Sequence, residues 1–289
     1  MKGLSRALVF GCTLISAAAL CTGRAAEAET GQTEQNTGIL CAHAGGVIEE
    51  QTYTNSAEAM ENSYKWGFRV IEADVRLTVD KEVVCEHDWE WFGQMTGTPP
   101  AERKYEDFMS MKKYGTLTPM DLGMLIEFMI EHTDCVIYLD PKHTDADEAR
   151  ELFEKVVAQV EATGDRTIFD RFWVAVYSRK MHKAVDKVYP FKHYVFVSSN
   201  VWDGTVEDMV EICECCAETG IEAIDMWYWQ VTDDVIALIK GYGLKAYAFT
   251  VDIEKTCAKM FRMGIECVTT NWLRPERSRE ELQNIKKEP

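Results

Sequence analysis

Positive charge, long apolar runs and nucleotide-binding loops are all scarce in this sequence, and each scarcity removes a class of function. The 289 residues carry 31 Lys and Arg against 48 Asp and Glu, a formal net charge of −17. A surface that acidic makes nucleic acid a poor partner. Beyond the N-terminal segment no stretch approaches an unbroken apolar twenty, so no transmembrane segment is expected in the mature chain. No GxGxxG or Walker-type loop follows the first strand-like run, which argues against a nucleotide-binding sheet. Internal repeats and low-complexity domains are absent as well.

The N-terminal segment has the layout of a secretory signal peptide. Two positive charges lie within Met1–Arg6, Ala7 to Leu20 is uncharged and mostly apolar or small, and Ala26-Glu27-Ala28 offers a cleavage point. Cys12 and Cys21 are poorly placed for lipid attachment, since Leu20 is bulky and Cys12 comes early. The expected organisation is a signal peptide over 1–28, a disordered polar leader over 29–38 and one domain over 39–289, with a secreted or cell-envelope product. Cleavage would remove three basic residues and one acidic one, taking the net charge from −17 to about −19.

Eight of the ten cysteines would then remain. Cys41, Cys85, Cys135 and Cys267 sit in apolar strand-like runs, where a thiol serves as a small hydrophobe. Cys213, Cys215 and Cys216 share one helical segment. No second cysteine pair or nearby histidine completes a zinc set with them.

From residue 39 onward short β-rich runs alternate with helix-patterned segments. The strands are predicted at Ile39–His43, Val70–Asp74, Cys135–Asp140, Trp173–Tyr177, Tyr194–Val197, Ala223–Met226, Leu244–Thr250 and Glu266–Thr270. Apolar stripes at Leu152, Phe153, Val156, Val157 and Val160, at Val206, Met209, Val210 and Cys213, and at Cys257, Met260 and Phe261 stop at Gly164, near Gly220 and at Gly264. Asn55 and Glu58 read as a capping box for a helix that ends at Gly67. Parallel strands need crossovers, and eight repeats favour closure, so the expected fold is an α/β TIM barrel forming a single domain. Val83–Met120 breaks the rhythm and reads as a loop insertion after the second strand, over one end of the barrel.

In such a barrel catalytic groups stand at strand C-termini. Here those ends are polar in an ordered way: His43-Ala44-Gly45-Gly46, then Glu72-Ala73-Asp74, then Glu86-His87-Asp88, then Asp140-Pro141-Lys142. Glu72 and Asp74, two apart on a strand, face the same way. Buried carboxylates must be paired or must coordinate metal. With Asp140 they form an oxygen-rich set suited to one Mg²⁺ or Ca²⁺ rather than zinc. Histidines titrate near neutrality and can divide two proton transfers, which casts His43 and His87 as an acid/base pair. Lys142 would hold a phosphate oxygen. Taken singly, His43 reads as a core histidine, Glu72 and Asp74 as partners of Arg69 and Arg76, and Asp88 as a ligand of a loop amide; the register of all of them together favours a site. His132, His143, His182 and His193 have no constellation and read as surface residues. Trp227, Asn271 and Trp272 follow late strands on the same face and are candidate substrate contacts, or packing for the barrel rim.

His43-Ala44-Gly45-Gly46, Thr54-Asn55-Ser56-Ala57-Glu58-Ala59, Gly67 through Glu72-Ala73-Asp74-Val75, Thr78-Val79-Asp80 and His87-Asp88 together resemble the signature of the glycerophosphodiester phosphodiesterases. Ala246–Asp252 and Gly264–Asn271 resemble that family's last two strands, so the likeness spans nearly the whole mature chain. It implies a TIM barrel, a divalent cation at Glu72, Asp74 and Asp140, and His43 with His87 as acid and base. It also implies attack by the substrate's own neighbouring hydroxyl to give a cyclic phosphate that is then hydrolysed. Two departures stand out. Ala44 occupies the place of the family's usual arginine, which is not readily replaced at a phosphate. Asp140 stands where the family usually has Glu, and this Asp-x-Lys is similar to the sphingomyelinase D-type phospholipases.

The expected substrate is accordingly a small-molecule or lipid-derived phosphodiester. The alternatives are a phospholipase acting on intact lipids through a cyclic phosphate, with peripheral lipid contact by Trp89, Trp91, Phe92 and Met95, and an inactive secreted binding module. A glycoside hydrolase would need a late acid pair such as Glu222 and Asp225.

Overall fold

The computed structural model describes residues 38–199 and 201–275. The expected signal peptide and nearly all of the polar leader lie outside the described residues.

Ten strands follow in chain order: β1 (Ile39–Ala42), β2 (Val70–Leu77), β3 (Val83–Cys85), β4 (Met120–Asp121), β5 (Val136–Pro141), β6 (Phe172–Val176), β7 (His193–Val197), β8 (Ala223–Trp227), β9 (Lys245–Phe249) and β10 (Cys267–Thr270). Eight of them, β1, β2 and β5 to β10, pair in parallel, and β1 closes the ring against β2 through Cys41↔Val70 and Ala42↔Ile71. This is the expected TIM barrel, and all eight barrel strands fall where the sequence places them, with ends shifted by at most one residue except in β2, which runs three residues past Asp74 to Leu77.

Strand alternation divides the barrel wall into two faces. Ile71, Ala73, Val75 and Leu77 of β2 face outward into the large core shared with the helices. Inward-facing Cys41, Val70, Tyr138, Val195, Ala223, Tyr247 and Cys267 fill the barrel interior. Inward-facing Glu72 and Asp74 sit nearer the strand C-termini and leave that apolar plug for the mouth.

Nine α-helices are described: α1 (Ala57–Lys65), α2 (Trp89–Thr96), α3 (Tyr105–Ser110), α4 (Leu122–Glu131), α5 (Ala146–Thr163), α6 (Arg179–Val188), α7 (Val206–Thr219), α8 (Asp233–Gly241) and α9 (Glu254–Met263). α5, α7 and α9 stop where read, at left-handed Gly164, Gly220 and Gly264. The predicted capping box is corrected by one residue. Ser56 caps α1 by accepting from Ala59 N at 3.2 Å, while Glu58 accepts from Thr118. Asn55 is drawn away because a buried carboxylate, Asp74, needs its amide.

The Val83–Met120 insertion is ordered structure. β3 runs antiparallel to β2 and carries β4, and α2 and α3 pack Phe92 and Phe108 against Val84. His182 is corrected from surface to core. It lies on the buried face of α6 with Met181 and Val185, edge-on to Tyr194 at 4.4 Å. The other three histidines face acids: His132 faces Glu61, His143 faces Glu148 and His193 faces Glu222. The eight cysteines after residue 38 are free thiols, all buried except half-buried Cys215. Among the described residues no helix is long and apolar enough to cross a membrane.

Candidate active site

The C-terminal end of the barrel opens into a cavity of about 390 Å³ lined by His43, Glu72, His87, Asp140, Lys142 and Trp227 among others. The turn that presents His43 depends on glycine. Gly46 has φ +91°, and a Cβ there would lie 2.0 Å from Ser63 Oγ, which itself donates to Gly45 O at 2.7 Å. Ala44 is buried with φ +48°. Among the described residues lining the cavity, Lys142 is the one permanent cation, and no guanidinium takes the place that Ala44 leaves vacant.

One carboxylate oxygen from each of Glu72, Asp74 and Asp140 lies within 4.8 Å of the others. β2 and β5 are neighbours in register, with Glu72 opposite Tyr138 and Asp74 opposite Asp140, which brings the three together. Lys142 Nζ bridges two of them, at 2.6 Å from Asp74 Oδ1 and 2.5 Å from Asp140 Oδ2. Asn55 Nδ2 donates to Asp74 Oδ2 at 2.7 Å, and Tyr177 donates to Asp140. Glu72 Oε2 is buried without a hydrogen-bond partner.

Electrostatics follow from this crowding. Burial, and then the charges of Asp74 and Asp140, push the Glu72 carboxyl well above the usual range. Burial also disfavours ionised Asp74, but Lys142 and the histidines outweigh it and hold that carboxyl low. Lys142 is likewise opposed by burial, yet Asp140 and Asp74 keep it firmly protonated. A buried all-oxygen donor set with an unsatisfied Glu72 oxygen fits a hard divalent cation, with Glu72, Asp74 and Asp140 as its protein ligands.

Both histidines are fixed by their partners. Asp252 accepts from Asn271 Nδ2 at 2.9 Å, which turns the Asn271 Oδ1 toward His43 Nδ1 at 2.8 Å. A carbonyl oxygen only accepts, so His43 Nδ1 carries the proton and Nε2 is a free base, 3.8 Å from Glu72 Oε2. Burial lowers the His43 pKa, against the opposing pull of Asp74. His87 Nδ1 sits 2.7 Å from Asp88 Oδ2 in the same sense. Asp88 Oδ1 accepts from Trp91 N at 2.7 Å and caps α2, so Asp88 does have the loop-amide role. Tyr53 stands between the two imidazoles at 4.6 and 5.1 Å and stacks on Trp91.

His43, His87, Glu72, Asp74, Asp140 and Lys142 therefore converge. Trp227 lines the cavity; Asn271 instead orients His43, and Trp272 is 47% exposed outside it. Glu222 lies at the far end of β8, paired with His193 and Lys245, so it makes no acid pair with Asp225. Asp225 is 3% exposed at the cavity floor, with Tyr138 Oη 3.1 Å from Oδ2 and Oδ1 unpartnered. Burial pushes its carboxyl up to about 8, an effect Tyr138 opposes. Tyr53, Asn55 and Tyr177 were missing from the sequence-derived set. Tyr177, at the mouth end of its predicted strand, was the one with a positional signal.

A closed α/β barrel whose mouth gathers two oriented imidazoles, a lysine and an oxygen-donor cluster defines a hydrolase of anionic esters. Comparison with known proteins makes that class specific. The model of the glycerophosphoryl diester phosphodiesterase family matches residues 46–274, and the chain belongs to this family of phosphoric diester hydrolases. His43 lies just outside the matched span, so its assignment rests on the geometry above. Similar solved structures include a glycerophosphodiester phosphodiesterase from Parabacteroides distasonis, 18% identical with TM-score 0.69 over 86% of this chain and 98% of that one. A phosphodiesterase from Oleispira antarctica in complex with the product sn-glycerol-3-phosphate is 15% identical with TM-score 0.70, over 85% and 96% of the two chains. A glycerophosphodiester phosphodiesterase from Thermotoga maritima is 18% identical with TM-score 0.60, over 81% and 94%. No protein of curated function matches the chain in sequence.

Proposed function

We propose that the protein is a secreted, divalent-cation-dependent glycerophosphodiester phosphodiesterase in which His43 and His87 share the proton transfers. The observation that carries this reading is the pair of imidazoles, each tied at Nδ1 to an oxygen acceptor, beside the Glu72–Asp74–Asp140–Lys142 cluster. Family membership and the small-molecule product held by the Oleispira relative support the substrate class.

His43, whose pKa burial lowers and whose Nδ1 proton Asn271 holds, takes the proton from the substrate hydroxyl neighbouring the phosphodiester as its oxygen bonds to phosphorus. His87, held at Nδ1 by the Asp88 carboxylate, protonates the leaving alcohol as its P–O bond breaks. The roles reverse when water opens the cyclic phosphate. Lys142 neutralises a non-bridging oxygen, and Tyr53 holds the two rings apart. A cation held by Glu72, Asp74 and Asp140 would stabilise negative charge building on the phosphoryl oxygens.

The test is release of alcohol and glycerol phosphate from a panel of glycerophosphodiesters with added Mg²⁺, Ca²⁺ or EDTA. Metal-dependent turnover is expected, and His43→Gln or His87→Gln should lower it by about 10²–10⁴-fold with the fold intact. Wild-type rates in either variant would refute the mechanism. Secretion rests on residues 1–28, and a product that stays inside the cell with them uncleaved would contradict it. A second reading, cleavage of intact lipids, is favoured by Trp229, Ile253 and Trp272, which are 61%, 64% and 47% exposed on loops at the mouth. Phosphorus NMR of lysolipid reactions, read for an accumulating cyclic phosphate, separates the two.

A further inference from the structure

Lys113 and Glu86 form an ion pair 2.7 Å long with both side chains fully buried, and neither lines the cavity. Such a pair adds little net stability over apolar side chains of similar volume, because two charges must be taken out of water. What it supplies is geometry, and every group it holds is backbone that carries a site residue.

Glu86 precedes His87, and its Oε1 accepts from the His87 N–H at 3.1 Å. Its own N–H donates to Asp74 O at 2.9 Å. Lys113 stands in the insertion on a tight turn, where its N–H donates to Leu117 O and the Tyr114 N–H donates to Met95 O in α2. From there its ammonium passes the rings of Phe92 and Phe108, at 5.8 and 5.5 Å, to reach Glu86 and to donate to Thr54 O. Thr54 lies between Tyr53, which separates the two imidazoles, and Asn55, which holds Asp74. Both neighbours have left-handed backbones, φ +60° and +42°, which a residue with a Cβ keeps only where its surroundings fix it. Asn55 is fixed by Ala44 O, by the Asp74 N–H and by the Asp74 carboxylate. Lys113 fixes the carbonyl between the two.

We propose that Lys113 and Glu86 are positioning residues for the reaction. One buried ammonium clamps the backbone between Tyr53 and Asn55 to the residue before His87, and so sets the His87 ring against Tyr53 and against the leaving oxygen of the substrate. Neither residue touches substrate. The inference rests on the phosphodiesterase reading, and within it on His87 as proton donor: its proton passes to the alcohol oxygen as the bond from that oxygen to phosphorus breaks. A reacting group misplaced by about 1 Å can cost about 10²-fold in rate, so a loosened His87 should be felt in turnover rather than in folding.

A proton donor matters for a leaving group that departs as an alkoxide and little for one that departs as a stable anion. The probes are therefore glycerophosphoethanol and glycerophospho-4-nitrophenol, each with added Mg²⁺ or Ca²⁺. The readout is kcat/KM for alcohol release, which the later opening of the cyclic phosphate does not enter. In Lys113→Met/Glu86→Gln the ethanol ester should slow about 10–100-fold and the nitrophenyl ester by no more than about threefold. His87→Gln should show the same asymmetry, larger in size. Both rates come from one preparation, so a partly unfolded population lowers them together and leaves their ratio unchanged. Glu86→Gln alone, which leaves Lys113 on Thr54, should move the ratio the same way by less, and it decides the matter if the double variant does not fold. An unmoved ratio in the folded variant, whether both rates hold or both fall, would overturn the proposal. A symmetric loss in His87→Gln would instead remove His87 as proton donor, and the proposal with it. If wild type turns over neither ester, it is the phosphodiesterase reading that fails.

Discussion

Replacing Asp225 by Asn should make the protein progressively more stable than wild type as pH rises. Burial lifts this carboxyl from its ordinary value of 3.8 to about 8. Between those values the unfolded chain has lost the Asp225 proton and the folded chain still holds it. The native state then binds more protons than the unfolded one, so stability falls with rising pH, by up to about 1.4 kcal/mol per unit for this one group. Below pH 4 the group contributes almost nothing either way; above pH 8 the full penalty, about 6 kcal/mol at its upper bound, is in place. Asparagine keeps an oxygen to accept from Tyr138 Oη but does not titrate. The gap between Asp225→Asn and wild type should therefore widen by up to about 4 kcal/mol between pH 5 and pH 9, less whatever the cavity relaxes by admitting water. Urea denaturation of both proteins at each pH, in EDTA to keep Asp140 free of metal, measures this directly. Every other titrating group is shared and cancels in the difference. A gap that is flat across pH 5–9 would show that Asp225 is ionised in the folded protein at low cost, and would refute the burial argument.

Glu72→Gln should weaken binding of Mg²⁺ or Ca²⁺ while raising stability in EDTA, since it removes a buried carboxyl that Asp74 and Asp140 already disfavour; calorimetry reads the first and thermal melts the second, and unchanged metal affinity would remove Glu72 from the ligand set. Lys113 and Glu86 form an ion pair 2.7 Å long with both side chains fully buried, and Lys113 also donates to Thr54 O. Lys113→Met should cost about 3–5 kcal/mol in urea denaturation by stranding Glu86, and adding Glu86→Gln should recover most of it. Because burial lowers the His43 pKa, the acid limb of kcat/KM should fall below pH 6.5; a limb above pH 7 would count against His43 as the free base.

The barrel was legible because each strand is a short apolar run with glycine punctuation on the helices between, a pattern set by neighbours in sequence. The six central site residues were legible for a related reason: strand C-termini face the mouth, so polar residues there stand out against apolar surroundings. Asn55, Tyr53 and Lys113 follow no such period. Asn55 sits beside a helix start and has the right chemistry for a cap, and only the fold shows that Asp74, nineteen residues on, competes for its amide. Lys113 reads as one more surface lysine until the insertion folds back and seals it against Glu86. His182 went wrong by the same logic in reverse, because the apolar face of α6 was long enough to bury it with Met181 and Val185.

The two histidines differ in a way that bears on their division of labour. His43 leans on an uncharged amide whose orientation is fixed one step further back, by Asp252. His87 leans directly on a carboxylate that also caps a helix. Burial lowers the His43 pKa, an effect that its hydrogen bond to the Asn271 oxygen opposes. Burial with no carboxylate at its Nδ1 leaves His43 the ring poised to accept a proton. Replacing Asn271 by Asp would set a carboxylate against His43 Nδ1 and should raise the pH at which kcat/KM begins to climb.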